Sequence, residues 1–233
     1  MSDDFAFFGG TMVYPSDELQ THRPNTHKEI QTISNIKIML WNIEGLRSAM
    51  RTAPRDFLQG LDIAILTETF LTDTWQHPEY YCTHLPAIQG ERGRPAGGIT
   101  VLLKPTLAPI TSTIKQEHTL LIDTKLITII SAYFQPHITA IDIIDEIGQL
   151  ITQTKQDKPL VIAGDLNCRL DTQSYKTKLV MEKLQEEGFT LLNDPKVPTY
   201  ISKNVKSTID IALIRDPIKG DITPLWTAIQ TPL

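Results

Sequence analysis

Short apolar runs recur along the chain, and they restrict its fold more than any other feature. Each run is rich in Ile, Val and Leu, and polar or turn-forming residues separate one run from the next. Runs of this length and composition predict buried β-strands. They occupy residues 36–43, 62–70, 98–104, 119–124, 126–134, 160–167, 199–202, 208–214 and 221–229.

Helical patterns separate only some of these runs. Segment 138–156 repeats Ile and Leu close to the i, i+3, i+4 spacing of an amphipathic helix. Segment 176–189 predicts a helix that ends near Gly188, and segment 46–60 predicts one that Pro54 must break or kink. Because other runs follow each other through short turns, the expected fold is a four-layer α/β sandwich. Two mostly antiparallel sheets would pack face to face, with helices outside.

Residues 1–34 show no sustained periodicity, so they predict a flexible N-terminal arm before a domain over 35–233. The net charge of −5 means that nucleic-acid binding would need a local basic patch and would be sensitive to salt. Basic residues that could contact DNA phosphates, or could simply be solvated loop charges, are Arg92, Arg94, Lys104, Lys203 and Lys206.

The sequence predicts a soluble protein that does not enter a membrane. No apolar stretch approaches the ~18 residues of a membrane span, and the N-terminus does not resemble a secretory signal. Two distant cysteines, Cys82 and Cys168, imply no disulfide framework. We therefore expect an intracellular location. His77 and His84 flank Cys82, but their spacing fits no standard zinc pattern.

Polar side chains stand at or near the ends of several apolar runs. Asp165 and Asn167 end one run and face the same way, because strand residues two apart share a face. Asn42 and Glu44 repeat this arrangement, and Glu68, Tyr133 and Asp210 belong to further runs. Such a set of hard oxygen donors suits Mg²⁺, Mn²⁺ or Ca²⁺ rather than zinc. A cation among carboxylates can hold and polarise a phosphate.

Each of these residues also has a simpler interpretation. Asn42 and Asn167 could be turn residues, and Tyr133 could be a core residue with a satisfied hydroxyl. Glu68 could be a carboxylate at the rim. Asp210 is harder to explain in this way, because a carboxylate inside an apolar strand needs a partner. The set taken together favours a site.

Five motifs follow one another along the chain. They are LWNIEGLRSAM (40–50), DIAILTETFL (62–71), SAYFQP (131–136), VIAGDLN (161–167) and PTYISKNVKSTIDIAL (198–213). In this order they resemble the motifs of the endonuclease/exonuclease/phosphatase superfamily, in the branch of the apurinic/apyrimidinic-type endonucleases. Three variants, LTETFL, GRPAGGITVLLK and PTYIS…STIDIAL, look like the endonuclease domains of non-LTR retrotransposons, which are fused to a reverse transcriptase.

The resemblance implies a role for each residue. Glu68 would be the principal ligand of Mg²⁺ or Mn²⁺, with Glu44 beside it, and Asn42 and Asn167 would orient the scissile phosphate. Tyr133 would hydrogen-bond that phosphate, and Asp165 would position or activate the attacking water. Ser207 would help to bind substrate, and Asp210 would hold the imidazole of a histidine.

The activity implied is metal-dependent nicking of one DNA strand, leaving a 3′ hydroxyl that can prime reverse transcription. The partners would be DNA and a reverse transcriptase domain in the parent protein, and the location would be nuclear when the protein acts on DNA.

The chain departs from the family after Asp210. The family closes with a Ser-Asp-His segment, whereas no histidine follows Asp210 here. We therefore expect a domain truncated before its final His motif, with impaired nicking. Two alternatives stay open: a catalytically dead or domesticated nucleic-acid-binding remnant, and a phosphodiesterase of the same superfamily with a non-DNA substrate. The GRPAGG and STIDIAL segments favour the nuclease.

Overall fold

A computed structural model describes residues 4–13, 35–53, 57–90, 92–201, 206–217 and 223–232. No helix within these ranges is long and apolar enough to cross a lipid bilayer. The helices are α1 (Leu46–Thr52), α2 (Ala140–Thr152) and α3 (Tyr175–Glu186), with a 3₁₀ helix at Pro105–Leu107. The strands are β1 (Asp4–Val13), β2 (Asn35–Asn42), β3 (Ile63–Thr67), β4 (Tyr81–Leu85), β5 (Ile99–Leu103), β6 (Ile110–Lys115), β7 (Thr119–Thr124), β8 (Thr128–Tyr133), β9 (Leu160–Asp165), β10 (Thr190–Leu191), β11 (Tyr200–Ile201), β12 (Lys206–Ser207), β13 (Asp210–Arg215) and β14 (Thr223–Pro232).

The strands form two six-stranded sheets and a short hairpin. The first sheet has the order β14-β1-β2-β3-β5-β4, the second has the order β10-β13-β9-β8-β7-β6, and β11 pairs with β12. Strands β2 and β3 run parallel near the centre of the first sheet, as β8 and β9 do in the second. The other described pairings are antiparallel. The predicted pair of mostly antiparallel sheets is confirmed.

Three apolar clusters hold the layers together. The central cluster joins the inner faces of both sheets and includes Ile65 from β3 and Ile129 from β8. A second cluster packs α2 and α3 on the outer face of the second sheet, and a third packs Leu46 of α1 on the first sheet. The order of layers is therefore helix, sheet, sheet, helices, which buries both faces of the central strands, as their continuous apolar runs require.

The helix ends follow local sequence signals. Thr139 and Asp142 form a reciprocal capping box at the start of α2, and Ser174 caps α3. The predicted end of the helix near Gly188 is confirmed, although the C-cap is Glu187 and Gly188 follows it with φ +85°. Helix α1 is shorter than predicted, since it ends at Thr52 and Ala53 is already extended. A residue that precedes a proline is disfavoured in the helical conformation.

Strand β1 lies inside the predicted flexible arm. Asp4–Val13 pairs with β2 on one side and β14 on the other, so the prediction of a flexible arm is wrong for these residues. The rest of the predicted arm, 1–3 and 14–34, lies outside the described residues. Strands β4, β6, β10 and β12 were also missed, because their sequences are short or polar and lack a continuous apolar run.

Candidate active site

Central strands of both sheets deliver the predicted site residues to one edge of the sandwich. Asn42 ends β2 and is paired in register with Thr67, the last residue of β3, directly before Glu68. In the second sheet Asp165 is in register with both Tyr133 and Asp210. Because parallel strands end at the same edge, the β2–β3 and β8–β9 pairs place these groups close together.

A hydrogen-bonded cluster links the two sheets at this edge. The Asn42 side-chain amide donates to Glu68 Oε1 at 3.0 Å and to Asp165 Oδ2 at 3.2 Å. The Tyr133 hydroxyl donates to the same Glu68 oxygen at 3.1 Å. Residues 123 positions apart in sequence therefore share one polar network. Both N–H groups of the Asn42 amide bind carboxylates, so Asn42 holds Glu68 and Asp165 at a fixed separation.

The backbone at Glu68 is held in an uncommon conformation. Glu68 has φ +51° and Glu44 has φ +45°, in the left-handed region that side-chain-bearing residues seldom adopt. The two turns fix each other, because the Gly45 N–H donates to the Glu68 carbonyl at 2.8 Å and the Leu46 N–H donates to Thr69 at 3.0 Å. Such strain is typical of sites where surrounding structure dictates the position of a functional side chain.

Asn167 is tied to the backbone around it. Its N–H donates to Asp165 Oδ1 at 3.0 Å, which makes a side-chain-mediated turn, and its φ is +47°. Its side-chain amide donates to the Phe134 carbonyl at 2.8 Å. The turn interpretation of Asn167 is confirmed, and the turn positions Asp165, so the role of Asn167 in a site stays a prediction that is compatible with it.

Asp210 is buried, at 2% exposure, and its Oδ1 has no hydrogen-bond partner among the described residues. Its backbone is well fixed: its N–H donates to the Thr199 hydroxyl at 3.1 Å, and its carbonyl accepts from the Asn193 amide at 2.9 Å. The sequence did not single out Thr199 and Asn193, and only their contacts with β13 reveal their role. An orphaned carboxylate oxygen in a native site calls for a partner.

Burial dominates the electrostatics of the carboxylates. Desolvation, followed by the negative charge of Asp210, raises the pKa of Asp165 well above its usual range. Desolvation also raises the pKa of Asp210 to about 7, although Thr199 opposes the shift by hydrogen bonding. Burial, together with the charges of Glu68 and Asp165, raises the pKa of Tyr133, so its hydroxyl stays protonated at neutral pH.

The GRPAGG loop forms one wall of the site. The Phe70 N–H donates to the Gly97 carbonyl at 3.0 Å, and the Thr69 N–H donates to Gly98 at 3.2 Å. Gly97 has φ +73°, and a Cβ there would lie 3.1 Å from the Tyr133 ring. Glycine at this position therefore allows the loop to support the tyrosine directly.

Glu68 and Glu44 are the carboxylates at this edge that could hold a divalent cation. Glu68 receives both described hydrogen bonds on one oxygen, Oε1. Glu44 lies on the exposed side of the adjoining turn, and its N–H donates to Asn42 Oδ1 at 3.4 Å. The described residues contain no group of three or more His, Cys, Asp or Glu side chains around an ion position. Mg²⁺ is commonly held by one or two carboxylates, water and substrate phosphates, so this open arrangement suits it.

Two of the predicted contact residues are placed differently. Ser207 is 4% exposed on β12, and Thr199 is the hydroxyl that bonds Asp210. Lys104 pairs with Asp62 at 3.3 Å, at the opposite end of β5 from Gly98. The substrate contact of Ser207 stays a prediction, and of the two readings of Lys104 its ion pair with Asp62 favours the one without a phosphate contact. Lys203 lies outside the described residues.

The His77–Cys82–His84 segment does not fit a zinc site. The His84 ring nitrogens contact the Thr100 hydroxyl at 2.8 Å and the Trp75 carbonyl at 2.6 Å. Cys82 Sγ accepts from the His77 backbone N–H at 3.2 Å. These groups stabilise the loop before β4.

The two face-to-face sheets, with a carboxylate, amide and tyrosine cluster at one edge, define a DNase I-like α/β sandwich. Residues 127–231 match the family described as Endonuclease-reverse transcriptase. No curated protein matches the chain. Over residues 127–231 the chain is similar to the endonuclease/exonuclease/phosphatase superfamily.

Solved structures share the fold at low sequence identity. The endonuclease domain of TRAS1, a telomere-specific non-LTR retrotransposon, aligns with a TM-score of 0.56 at 16% identity, over 85% of this chain and 100% of that one. An AP endonuclease from Archaeoglobus fulgidus aligns with a TM-score of 0.58 at 15% identity, over 77% of this chain and 86% of that one. The 3′ phosphatase NExo from Neisseria, bound to a product DNA hairpin, aligns with a TM-score of 0.58 at 14% identity. The alignment covers 77% of this chain and 86% of that one.

Proposed function

We propose that the chain is a divalent-metal-dependent DNA endonuclease of a non-LTR retrotransposon, which nicks one strand and leaves a 3′ hydroxyl. The cluster of Asn42, Glu68, Tyr133 and Asp165 carries this proposal, because two sheets bring hard oxygen donors and a protonated hydroxyl to one edge. In the parent protein a reverse transcriptase domain would use the new 3′ hydroxyl, and the nick would be made in the nucleus.

Each side chain has a definable task in phosphodiester hydrolysis. Asp165, when it is ionised, can accept a proton from the attacking water. The Tyr133 hydroxyl can donate to a phosphate oxygen, because its pKa keeps it protonated. Asn42 keeps Asp165 and Glu68 in register across the two sheets. Asn167 orients Asp165 through its N–H.

Glu68, with Glu44 on the adjoining turn, would hold Mg²⁺ or Mn²⁺. When bound, such an ion neutralises and polarises the scissile phosphate. The opposing positive-φ turns at Glu44 and Glu68 present both residues at the edge. Substrate phosphate and water would complete the coordination.

Asp210 has one carboxylate oxygen without a partner among the described residues. Its unpaired Oδ1 has the position and chemistry to accept a hydrogen bond from an imidazole N–H. We propose that residues 1–233 nick DNA more slowly than a chain carrying an added Ser-Asp-His segment, by the ~10²–10⁴ that a general acid or base contributes.

A plasmid assay tests the proposal. Supercoiled plasmid, incubated with the chain and Mg²⁺, should relax to the nicked circle, and a DNA polymerase should extend the product because its new end is a 3′ hydroxyl. Glu68→Gln should abolish nicking, whereas Glu182→Gln, an exposed change on α3, should not. Equal nicking by both variants would contradict the role of Glu68.

The orphaned Asp210 oxygen favours a second candidate, a nucleic-acid-binding remnant without catalysis. Binding of DNA without nicking, even after addition of the Ser-Asp-His segment, would establish that candidate. Hydrolysis of an inositol phosphate or a phospholipid, without nicking of plasmid, would instead identify a phosphodiesterase with a different substrate.

A further inference from the structure

Arg94 is fixed at the rim of the site by an aromatic ring. Its guanidinium lies 4.2 Å from the centroid of the Phe70 ring, within the range of a cation–π contact. Phe70 follows Glu68 by two residues, and its N–H is bonded to Gly97. A Cβ on Gly45 would lie 3.3 Å from the Phe70 ring, so the ring packs closely against the first turn of the site.

The charge of Arg94 is not neutralised within the described part of the chain. Two other exposed arginines are paired there, Arg47 with Asp73 at 2.9 Å and Arg169 with Asp171 at 2.7 Å, whereas Arg92, like Arg94, has no carboxylate partner among the described residues. No carboxylate of the described residues pairs with Arg94, which is exposed. The Arg94 charge nevertheless acts on Tyr133, where it opposes the rise in the pKa of that hydroxyl.

The row of site residues shows which side Arg94 occupies. Asp210, Asp165 and Tyr133 follow each other across β13, β9 and β8. A Cβ on Gly97 would lie 3.1 Å from the Tyr133 ring, so the GRPAGG loop lies on the Tyr133 side of Asp165. A polynucleotide whose scissile phosphate lies at Glu68 and Asp165 would extend past Arg94 on that side.

We propose that Arg94 binds a backbone phosphate of duplex DNA next to the scissile phosphate, on the Tyr133 side. This inference rests on the proposed endonuclease function. A guanidinium matches two phosphate oxygens at once, and stacking on Phe70 orients it before the DNA arrives. A protein with a net charge of −5 needs such local positive charge to hold a polyanion beside its own carboxylates.

Fluorescence anisotropy with a labelled DNA duplex in Ca²⁺ buffer tests the inference by binding alone. Arg94→Ala should weaken binding about tenfold and reduce the slope of log K against log salt by about one, measured between ~50 and ~200 mM KCl. Arg94→Lys should keep most of the slope but lose several-fold in affinity. Phe70→Leu should also lose several-fold in affinity and keep the salt slope. The Arg94 charge stays, but no aromatic ring orients the guanidinium any longer. Arg92→Ala, which removes an exposed charge from the same loop, is the matched control and should change affinity less than twofold.

The outcomes separate this inference from the function it rests on. Wild-type protein that binds duplex DNA, with Arg94→Ala and Arg92→Ala equally affected or unaffected, would overturn the phosphate contact and leave the endonuclease proposal in place. Wild-type protein that neither binds nor nicks DNA would overturn both. A loss of binding in Arg94→Ala with an unchanged salt slope would show that the residue only supports the loop, and this too would overturn the contact. Unchanged thermal unfolding of Arg94→Ala confirms that the variant is folded.

Discussion

Asp210→Asn should make the protein more stable at neutral and alkaline pH while reducing nicking. Asp210 is 2% exposed, and burial raises its pKa from 3.8 to about 7. In the folded state it holds a proton that the unfolded chain releases at lower pH. Stability from this group is therefore greatest below pH 4 and falls as pH rises towards 7.

The size of the effect follows from the pKa of Asp210. A rise from 3.8 to about 7 corresponds to about 4 kcal/mol lost above pH 7, and to about 2 kcal/mol lost at pH 5. Asparagine has nearly the same shape and does not titrate. The increase in the free energy of unfolding that Asp210→Asn causes should therefore be about 2 kcal/mol larger at pH 8 than at pH 5. The ionised form of Asp165 should also be stabilised in this variant, because the charge of Asp210 raises the pKa of Asp165.

Urea unfolding followed by tryptophan fluorescence, with EDTA present, measures this difference across pH 5 to 8. Asp123→Asn is the matched control. Burial opposes ionisation of Asp123, but hydrogen bonds from Lys158, Thr111 and Thr128 lower its pKa overall. The stability that Asp123 contributes is present above its unfolded pKa, so its loss should be destabilising and constant from pH 5 to 8. A wild-type profile that is flat over this range, or an Asp210→Asn variant that is less stable at pH 8, would refute the raised pKa assigned to the buried Asp210 carboxyl.

Three further changes test the structure around the site. Gly97→Ala should reduce the rate of nicking at least tenfold in single-turnover assays. The added Cβ meets the Tyr133 ring, and alanine is strained at this positive φ. Ile129→Ala should destabilise by about 2–5 kcal/mol, measured in urea, because Ile129 is fully buried between the sheets; a loss below 1 kcal/mol would place it outside the core. Thr139→Ala removes the capping box of α2 and should lower the free energy of unfolding by about 1 kcal/mol, measured in urea. Nicking in the plasmid assay should be unchanged.

Much of the fold was determined by sequence pattern alone. Strands with continuous apolar runs, such as β3 and β9, were predicted because burial on both faces requires such runs. The α2 helix was predicted because its apolar residues recur on one face. Edge elements escaped prediction: β6 has mostly exposed residues, and β4 alternates too weakly to be distinguished from a loop. Their strand conformation depends on pairing with β7 and β5.

The sequence also determined which residues belong to the candidate site, since Asn42, Glu68, Tyr133, Asp165 and Asp210 stood out by type and position. Tertiary structure decided how they meet. Only the packing of two sheets places the Asn42 amide between Glu68 and Asp165, across 123 positions of sequence. Only the folded chain buries Ser207, pairs Lys104 with Asp62 and stacks Arg94 on Phe70. Residue type and local spacing carry chemical identity and strand period, whereas contacts between distant segments depend on pairing and register that no local pattern records.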